Sequence, residues 1–388
     1  MNQQTERITI LGRKLGRQPH SVFGIRQADR LFHQYVIGQT GTGKSTLLLN
    51  MIRQDIAAGQ GFGLIDPHGD LAASVAEAAG ADALVWNAAD PASPYGYNPL
   101  TYVTDDYRPL VASGLIDTLK KQWADAWGAR MEHLLRHSIL ALLERSGSTL
   151  DDIIPMFLDK SFRQRVLATV KDAQVRRFWT VEYPAMSFKN AADGVAPIAN
   201  KLGAFLAHPV VRNAVCKPRE PLRFRKLIDE GQVLIVNLAK GRLGADVSNI
   251  LGGLIVSSIA HAAYSRQDQP ENERRPSFLY IDEFHSFTTQ ALADMLSELR
   301  KYGLGLALAH QHTTQLDPKV LEAILGNVGT LMAFRLGATD AKIMARQIGA
   351  NIPSERDLVN LPNYEMYLKL MIKETQSKAF SARSIFAI

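Results

Sequence analysis

A glycine-rich string, Gly38-Gln39-Thr40-Gly41-Thr42-Gly43-Lys44-Ser45, stands between an apolar β-like run at 35–37 and a helical pattern at 45–56. It fits G-x-x-x-x-G-K-[ST], and a strand before it with a helix after it is the context that gives this pattern meaning. Glycines let the backbone curl until its N–H groups face a phosphate chain, and the helix start adds its dipole. Lys44 is then placed to reach the β- and γ-phosphates of ATP and Ser45 to ligate Mg²⁺, with Thr46 completing the candidate cofactor site. This loop restricts the chain to an α/β nucleotide-binding domain.

Apolar, β-rich runs recur at 35–37, 62–65, 84–86, 233–236, 278–281, 304–308, 331–334 and 367–371, most followed by helical patterns. Continuous apolar runs suit strands buried on both faces, and alternation with helices implies a parallel sheet. The expected fold class is α/β, a RecA-like, doubly wound, mainly parallel sheet. Between about 105 and 218 the period becomes helical throughout. There Met131, Leu134, Leu135, Ile139 and Leu142 form one stripe, and Thr149 with Asp152 a capping box. Ser161 reads as a further cap, and Pro184 and Pro197 as breaks. The organisation expected is a nucleotide-binding domain built from 1–104, which opens with an N-terminal arm, and from 219–388. An all-helical subdomain, 105–218, is inserted between the two parts.

The 388 residues carry a net charge of +6, a mild basic excess that suggests a polyanionic partner. Arg7, Arg13, Lys14, Arg17, Arg26 and Arg30 face only Glu6 and Asp29 in the first thirty positions, which reads equally as a solvated arm or a nucleic-acid contact. A single cysteine, Cys216, excludes an internal disulfide and fits a reducing compartment. The N-terminus has no apolar stretch of the signal-peptide kind. The most apolar helical stretch, 250–264, is interrupted by Gly252, Gly253, Ser257, Ser258 and His261, and reads as a buried helix. The expectation is a cytoplasmic protein without an integral membrane segment.

A glycine loop of this kind serves kinases, switch GTPases and motors alike; a second element narrows the choice. Ser277-Phe278-Leu279-Tyr280-Ile281 is an apolar strand that ends in Asp282-Glu283. In such a fold the first acid, Asp282, holds Mg²⁺ and the second, Glu283, polarises the attacking water as general base. That pair favours hydrolysis over transfer to a small acceptor. A third strand, 304–309, runs into His310-Gln311-His312, where Gln311 is the candidate sensor of the γ-phosphate. The alternating histidines lack an evident third metal ligand.

Arg300-Lys301 closes the helix that follows the acidic pair; such cations ordinarily offset the helix dipole. In a ring-forming ATPase an arginine there reaches a neighbour's nucleotide as a finger, and Arg300 and Arg335 are the two candidates. Asp66-Pro67-His68-Gly69-Asp70 reads as a rigid turn near the phosphates. Lys240-Gly241-Arg242-Leu243-Gly244 reads as a flexible glycine loop whose two cations, Lys240 and Arg242, either grip a DNA backbone or merely face solvent.

Together these residues resemble the HerA–FtsK superfamily of ring-forming DNA-pumping ATPases. Within it the likeness is closest to the cytoplasmic ATPase domain of type IV secretion (conjugative) coupling proteins. The resemblance runs through Phe23-Gly24-Ile25, Asp29-Arg30 and His33, then Asp66-Pro67-His68-Gly69-Asp70-Leu71 and Tyr97-Asn98-Pro99-Leu100. It continues through Tyr280-Ile281-Asp282-Glu283-Phe284, Glu298-Leu299-Arg300-Lys301-Tyr302-Gly303, Ala309-His310-Gln311, Phe334-Arg335-Leu336 and Asp340-Ala341. It implies a homohexameric ring with nucleotide sites between subunits, and ATP hydrolysis coupled to movement of DNA. Carried onto this chain, the phosphate-binding lysine is Lys44, the acidic pair Asp282 and Glu283, the sensor Gln311 and the finger Arg300. Relatives usually begin with membrane helices or a small β-barrel, and neither is evident ahead of Gly38. The expectation therefore extends from conjugative transfer to DNA processing or phage defence with a nuclease or relaxase partner. Two other readings stand beside it: a protein-directed secretion or assembly ATPase, and a nucleotide-gated ring scaffold that regulates a partner nuclease.

Overall fold

The computed structural model describes residues 7–15, 21–101, 103–186, 188–349 and 353–385, with the backbone alone at 188–192. Glu6 and Arg17 of the basic N-terminal segment lie outside the described residues.

The chain divides into two compact units. The first comprises residues up to Val85, Phe224–Leu238 and the chain from Ala262 on; the second comprises Trp86–Arg223 and Ala239–His261. The helical unit therefore starts earlier than residue 105, ends later than 218, and takes in a later segment that the 105–218 boundaries leave out.

Eleven strands form one sheet: β1 (Ile8–Lys14), β2 (Val22–Arg26), β3 (Gln34–Ile37), β4 (Phe62–Asp66), β5 (Leu84–Asn87), β6 (Val233–Asn237), β7 (Ser277–Ile281), β8 (Leu304–His310), β9 (Thr330–Ala333), β10 (Glu365–Lys369) and β11 (Phe380–Ser384). Their order is β2-β1-β11-β10-β9-β3-β8-β7-β4-β6-β5. Neighbours from β9 through β6 run parallel. Their apolar runs are buried on both faces, as a covered parallel sheet requires. This is the RecA-like doubly wound fold. All eight runs read as strands from the sequence are strands.

The other side of the sheet, β10, β11, β1 and β2, is antiparallel throughout. Here β1 and β2 form the outer side of the sheet, and Arg30 is fully buried in an ion pair with Asp55, whose oxygens lie 2.7 and 2.8 Å from its guanidinium. Its guanidinium also donates to Thr9 of β1 and Tyr280 of β7 and stacks 3.6 Å from the centre of the Phe278 ring. One cation thereby ties β1, β7 and the helix Lys44–Ala57 together.

In the second unit Met131, Leu134, Leu135, Ile139 and Leu142 are buried along the helix Ala129–Leu143, and the Thr149–Asp152 capping box is present. Pro184 agrees with its expectation: the unbroken helical run from Ala173 ends at Ala185, one residue after it. Three local expectations fail. Asp159, not Ser161, caps the helix Lys160–Leu167, because its carboxylate is positioned to accept the Phe162 N–H. Pro197 lies inside the helix Phe188–Leu206 without ending it; burial of Val195, Ile198 and Leu202 outweighs one lost backbone bond. Lys240–Leu243 is a helical turn and not a flexible loop, entered through a left-handed Ala239 (φ 47°) and left through Gly244 (φ 83°).

Among the described residues one helical stretch, Ala245–Asp268, is long and apolar enough to cross a membrane by length and composition. Of its most apolar window, 67% is buried inside the protein, the pattern of a core helix.

Candidate nucleotide site

Strand register decides what meets at the site. Leu308 of β8 stands opposite both Tyr35 of β3 and Ile281 of β7. The chain leaving β3, β7 and β8 therefore emerges at one edge of the sheet, and that brings together residues 38–45, Asp282-Glu283 and Gln311.

The loop 38–45 turns through Gly41 (φ 75°) and Gly43 (φ 120°), a region that side chains avoid. Space also closes Gly38 and Gly43. A Cβ on Gly38 would lie 2.6 Å from Cβ of Phe334, and one on Gly43 3.0 Å from the Tyr364 ring. Tyr364 also donates its N–H to the Thr42 carbonyl at 2.8 Å, so the chain approaching β10 braces the loop from behind. The helix Lys44–Ala57 buries Leu47, Leu48, Met51 and Ile52 to fix the loop's exit. Lys44 Nζ donates to the carbonyls of Gly38 (2.6 Å) and Gln39 (3.2 Å). Burial lowers its pKa, opposed by the charges of Glu283 and Asp282.

Asp282 and Glu283 are nine-tenths buried beside this lysine. Burial, then the charges of Glu283 and Asp66, push the Asp282 carboxyl up to about 6. A buried carboxylate crowded by two others is a place where a divalent cation relieves repulsion. With Ser45 at the helix start, the donor set suits Mg²⁺, which takes one or two protein oxygens and fills its octahedron with phosphate and water. Glu283 has a left-handed backbone (φ 48°), its N–H held by Asp282 Oδ1 at 3.0 Å. Such a conformation in a non-glycine residue costs on the order of 1–3 kcal/mol and is found where geometry matters.

Gln311 lies between loop and acid. Its Nε2 donates to Glu283 Oε1 at 2.7 Å, and its Oε1 accepts the Thr40 hydroxyl at 2.9 Å. The turn that carries it is anchored by buried Asp340, which accepts from the N–H (2.9 Å) and hydroxyl (2.6 Å) of Thr313 and lies 3.1 Å from His312 Nδ1. His310 is buried, its Nε2 2.6 Å from the Tyr35 hydroxyl, and burial takes its pKa down to about 3. The two histidines thus point to different partners. Asp66 accepts the N–H groups of His68 and Ala72, both at 2.9 Å, and so builds the turn that starts the helix Asp70–Ala79.

The two candidate arginines separate. Arg335 sits on its own phosphate loop: its Nε is 3.3 Å from Gln39 Oε1, and its carbonyl accepts the Gln39 N–H at 2.9 Å. Arg300 precedes β8 and so lies at the opposite edge of the sheet, stacked on Phe32 at 3.8 Å and 3.8 Å from Glu374. Lys240 and Arg242 belong to the second unit. Sequence reasoning passed over His285, whose Nδ1 is 3.3 Å from Glu283 Oε2. It also passed over Tyr364, whose neighbourhood comes from the far end of the chain and leaves no local pattern.

Comparison with known proteins agrees with this fold. A search of curated proteins finds no match. Among solved structures the chain is similar to the plasmid coupling protein TrwB in complex with the non-hydrolysable ATP analogue ADPNP, with a TM-score of 0.70 at 18% identity, covering 100% of this chain and 90% of that one. TrwB in complex with ADP and Mg²⁺ gives 0.69 at 17% identity, covering 98% and 95%. VirB4 of Thermoanaerobacter pseudethanolicus gives 0.66 at 13% identity, covering 99% and 97%. These likenesses concern the fold. A family model matches residues 24–356, and the chain belongs to the family of type IV secretion-system coupling protein DNA-binding domains.

Proposed function

We propose that the chain is a motor ATPase that couples hydrolysis of ATP to movement of DNA, working as a ring of like subunits. One observation carries this reading: the phosphate loop, Asp282-Glu283 and Gln311 share one sheet edge, joined by the Thr40–Gln311–Glu283 hydrogen bonds. In this reading residues 38–46 bind the triphosphate, Lys44 its terminal phosphates, and Ser45 and Asp282 hold Mg²⁺. Mg²⁺, when bound, offsets the charge that develops on the phosphate oxygens. Glu283 takes the proton of the attacking water, and Gln311 turns from Glu283 to the γ-phosphate.

Arg335 acts within its own subunit. Arg300, too far from its own loop, serves a neighbour's site, which is the reason for a ring. The helical unit is an insertion in the motor domain, and Lys240 and Arg242 contact DNA phosphates. The likeness to TrwB, whose structures hold ADP with Mg²⁺ and ATP analogues, supports the cofactor assignment. The test is ATP turnover by wild type, Lys44→Ala and Glu283→Gln. Both variants should lose turnover, and only Glu283→Gln should still bind ATP. Wild-type turnover by Glu283→Gln would sink the assignment of the base.

A further inference from the structure

Glu283 has a side-chain neighbour at each carboxylate oxygen, and one of the two has no assigned role. Gln311 Nε2 donates to Oε1 at 2.7 Å. On the other side His285 Nδ1 lies 3.3 Å from Oε2. The second ring nitrogen, Nε2, lies 3.4 Å from Gln315 Nε2 and 3.4 Å from the Ser286 hydroxyl. An amide nitrogen only donates, so His285 Nε2 is the acceptor there; in the neutral ring the proton then sits on Nδ1, toward Glu283. Gln315 is itself fixed, its Oε1 accepting the His312 N–H at 3.0 Å.

Both arms therefore come from the same turn after β8. Gln311 reaches the acid directly, and Gln315 reaches it through His285. To turn to a phosphate, Gln311 must leave both Glu283 and Thr40. Of these two neighbours, His285 then remains beside the carboxylate.

Resting on the reading of Glu283 as the base, we propose that His285 is a positioning residue. It holds Oε2 and keeps the carboxylate aimed while Gln311 swings away, leaving Oε1 free to take the water's proton.

The test measures ATPase kinetics and ATP affinity of the full chain in wild type, His285→Phe, His285→Asn and Glu283→Gln. Phenylalanine keeps the ring and loses the donor; asparagine keeps a donor near the position of Nδ1. The expected result is kcat lowered about 10- to 100-fold by His285→Phe, as for a misaimed catalytic group. KM and ATP affinity should stay as in wild type, and His285→Asn should keep most of the rate. If His285→Phe turns over like wild type while Glu283→Gln is inactive, the base stands and the positioning role falls. If Glu283→Gln is active, the base and this inference fall together. Should the His285 variants not fold, exposed Gln315→Ala decides: a several-fold lower kcat at unchanged KM supports the role, and wild-type kinetics overturns it.

Discussion

Arg300 and Gln311 flank the two ends of one strand, Leu304–His310. At about 3.3 Å per residue that strand separates them by roughly 20 Å, beyond the reach of an arginine side chain. In the proposed ring Arg300 therefore serves the nucleotide of another subunit. Arg300→Ala and Lys44→Ala should each be inactive alone, yet mixing them should restore ATPase activity, because Lys44→Ala subunits lend Arg300 to intact loops. Arg335→Ala mixed with Lys44→Ala should stay inactive, since Arg335 touches its own Gln39. Restoration in the second mixture and not in the first would reverse the two assignments.

Gln311 should matter to turnover more than to binding. Gln311→Ala removes the bridge between Thr40 and Glu283 and the donor for the γ-phosphate. Loss of one such preorganised donor typically lowers kcat about 100- to 1,000-fold. ATP affinity, measured with a fluorescent analogue, should change little. A variant that loses affinity instead would place Gln311 among the ground-state binding groups.

The pair Arg30–Asp55 is a stability prediction separate from catalysis. Side chains only 2% and 4% exposed leave either charge stranded once the other is removed. Asp55→Ala should destabilise the fold by about 3–5 kcal/mol in chemical denaturation. Arg30→Met combined with Asp55→Leu should recover much of that loss, because no charge is left unpaired. Equal instability in the single and double variants would mean that the network's shape, and not its charge, is what the fold needs.

Lowering the pH acts in two directions. Asp282, pushed up to about 6, favours the folded state when protonated. Its contribution is complete below its unfolded value near ~4 and is lost as pH rises through 6. Buried His33 (about 4) and His310 (about 3) have the opposite sense, since burial lowers both. Their stability is full above roughly pH 6.5 and is lost as the solution turns acid. In metal-free buffer Asp282→Asn should melt higher than wild type at pH 7–8, by about 3 kcal/mol. The gap should shrink toward pH 4, and a constant gap would contradict the shift.

The parallel half of the sheet was legible because doubly buried strands are uninterrupted apolar runs, as 278–281 and 304–308 are. The antiparallel flank was not. Phe380–Ser384 reads Phe-Ser-Ala-Arg-Ser, with one face solvated, and only its partners β1 and β10 make it a strand. At the site, residues fixed by a short spacing were visible: the loop 38–45, and Asp282-Glu283 at a strand end. Residues whose role depends on where a distant segment returns were hidden. Tyr364 braces the loop across more than 300 positions of sequence, and Arg335 showed its arginine but not which subunit's loop it meets. His285 follows the acidic pair closely, yet a lone histidine carries no signal until the Gln315 turn is folded beside it.

A DNA-moving ATPase must have a nucleotide site that answers to DNA. The direct measurement is the rate of ATP hydrolysis by the assembled protein as duplex DNA is added, repeated at low and high salt. The prediction is that DNA raises turnover and that the concentration required climbs steeply with salt, as counterion release demands. Turnover that is the same with and without DNA at every salt concentration would contradict it.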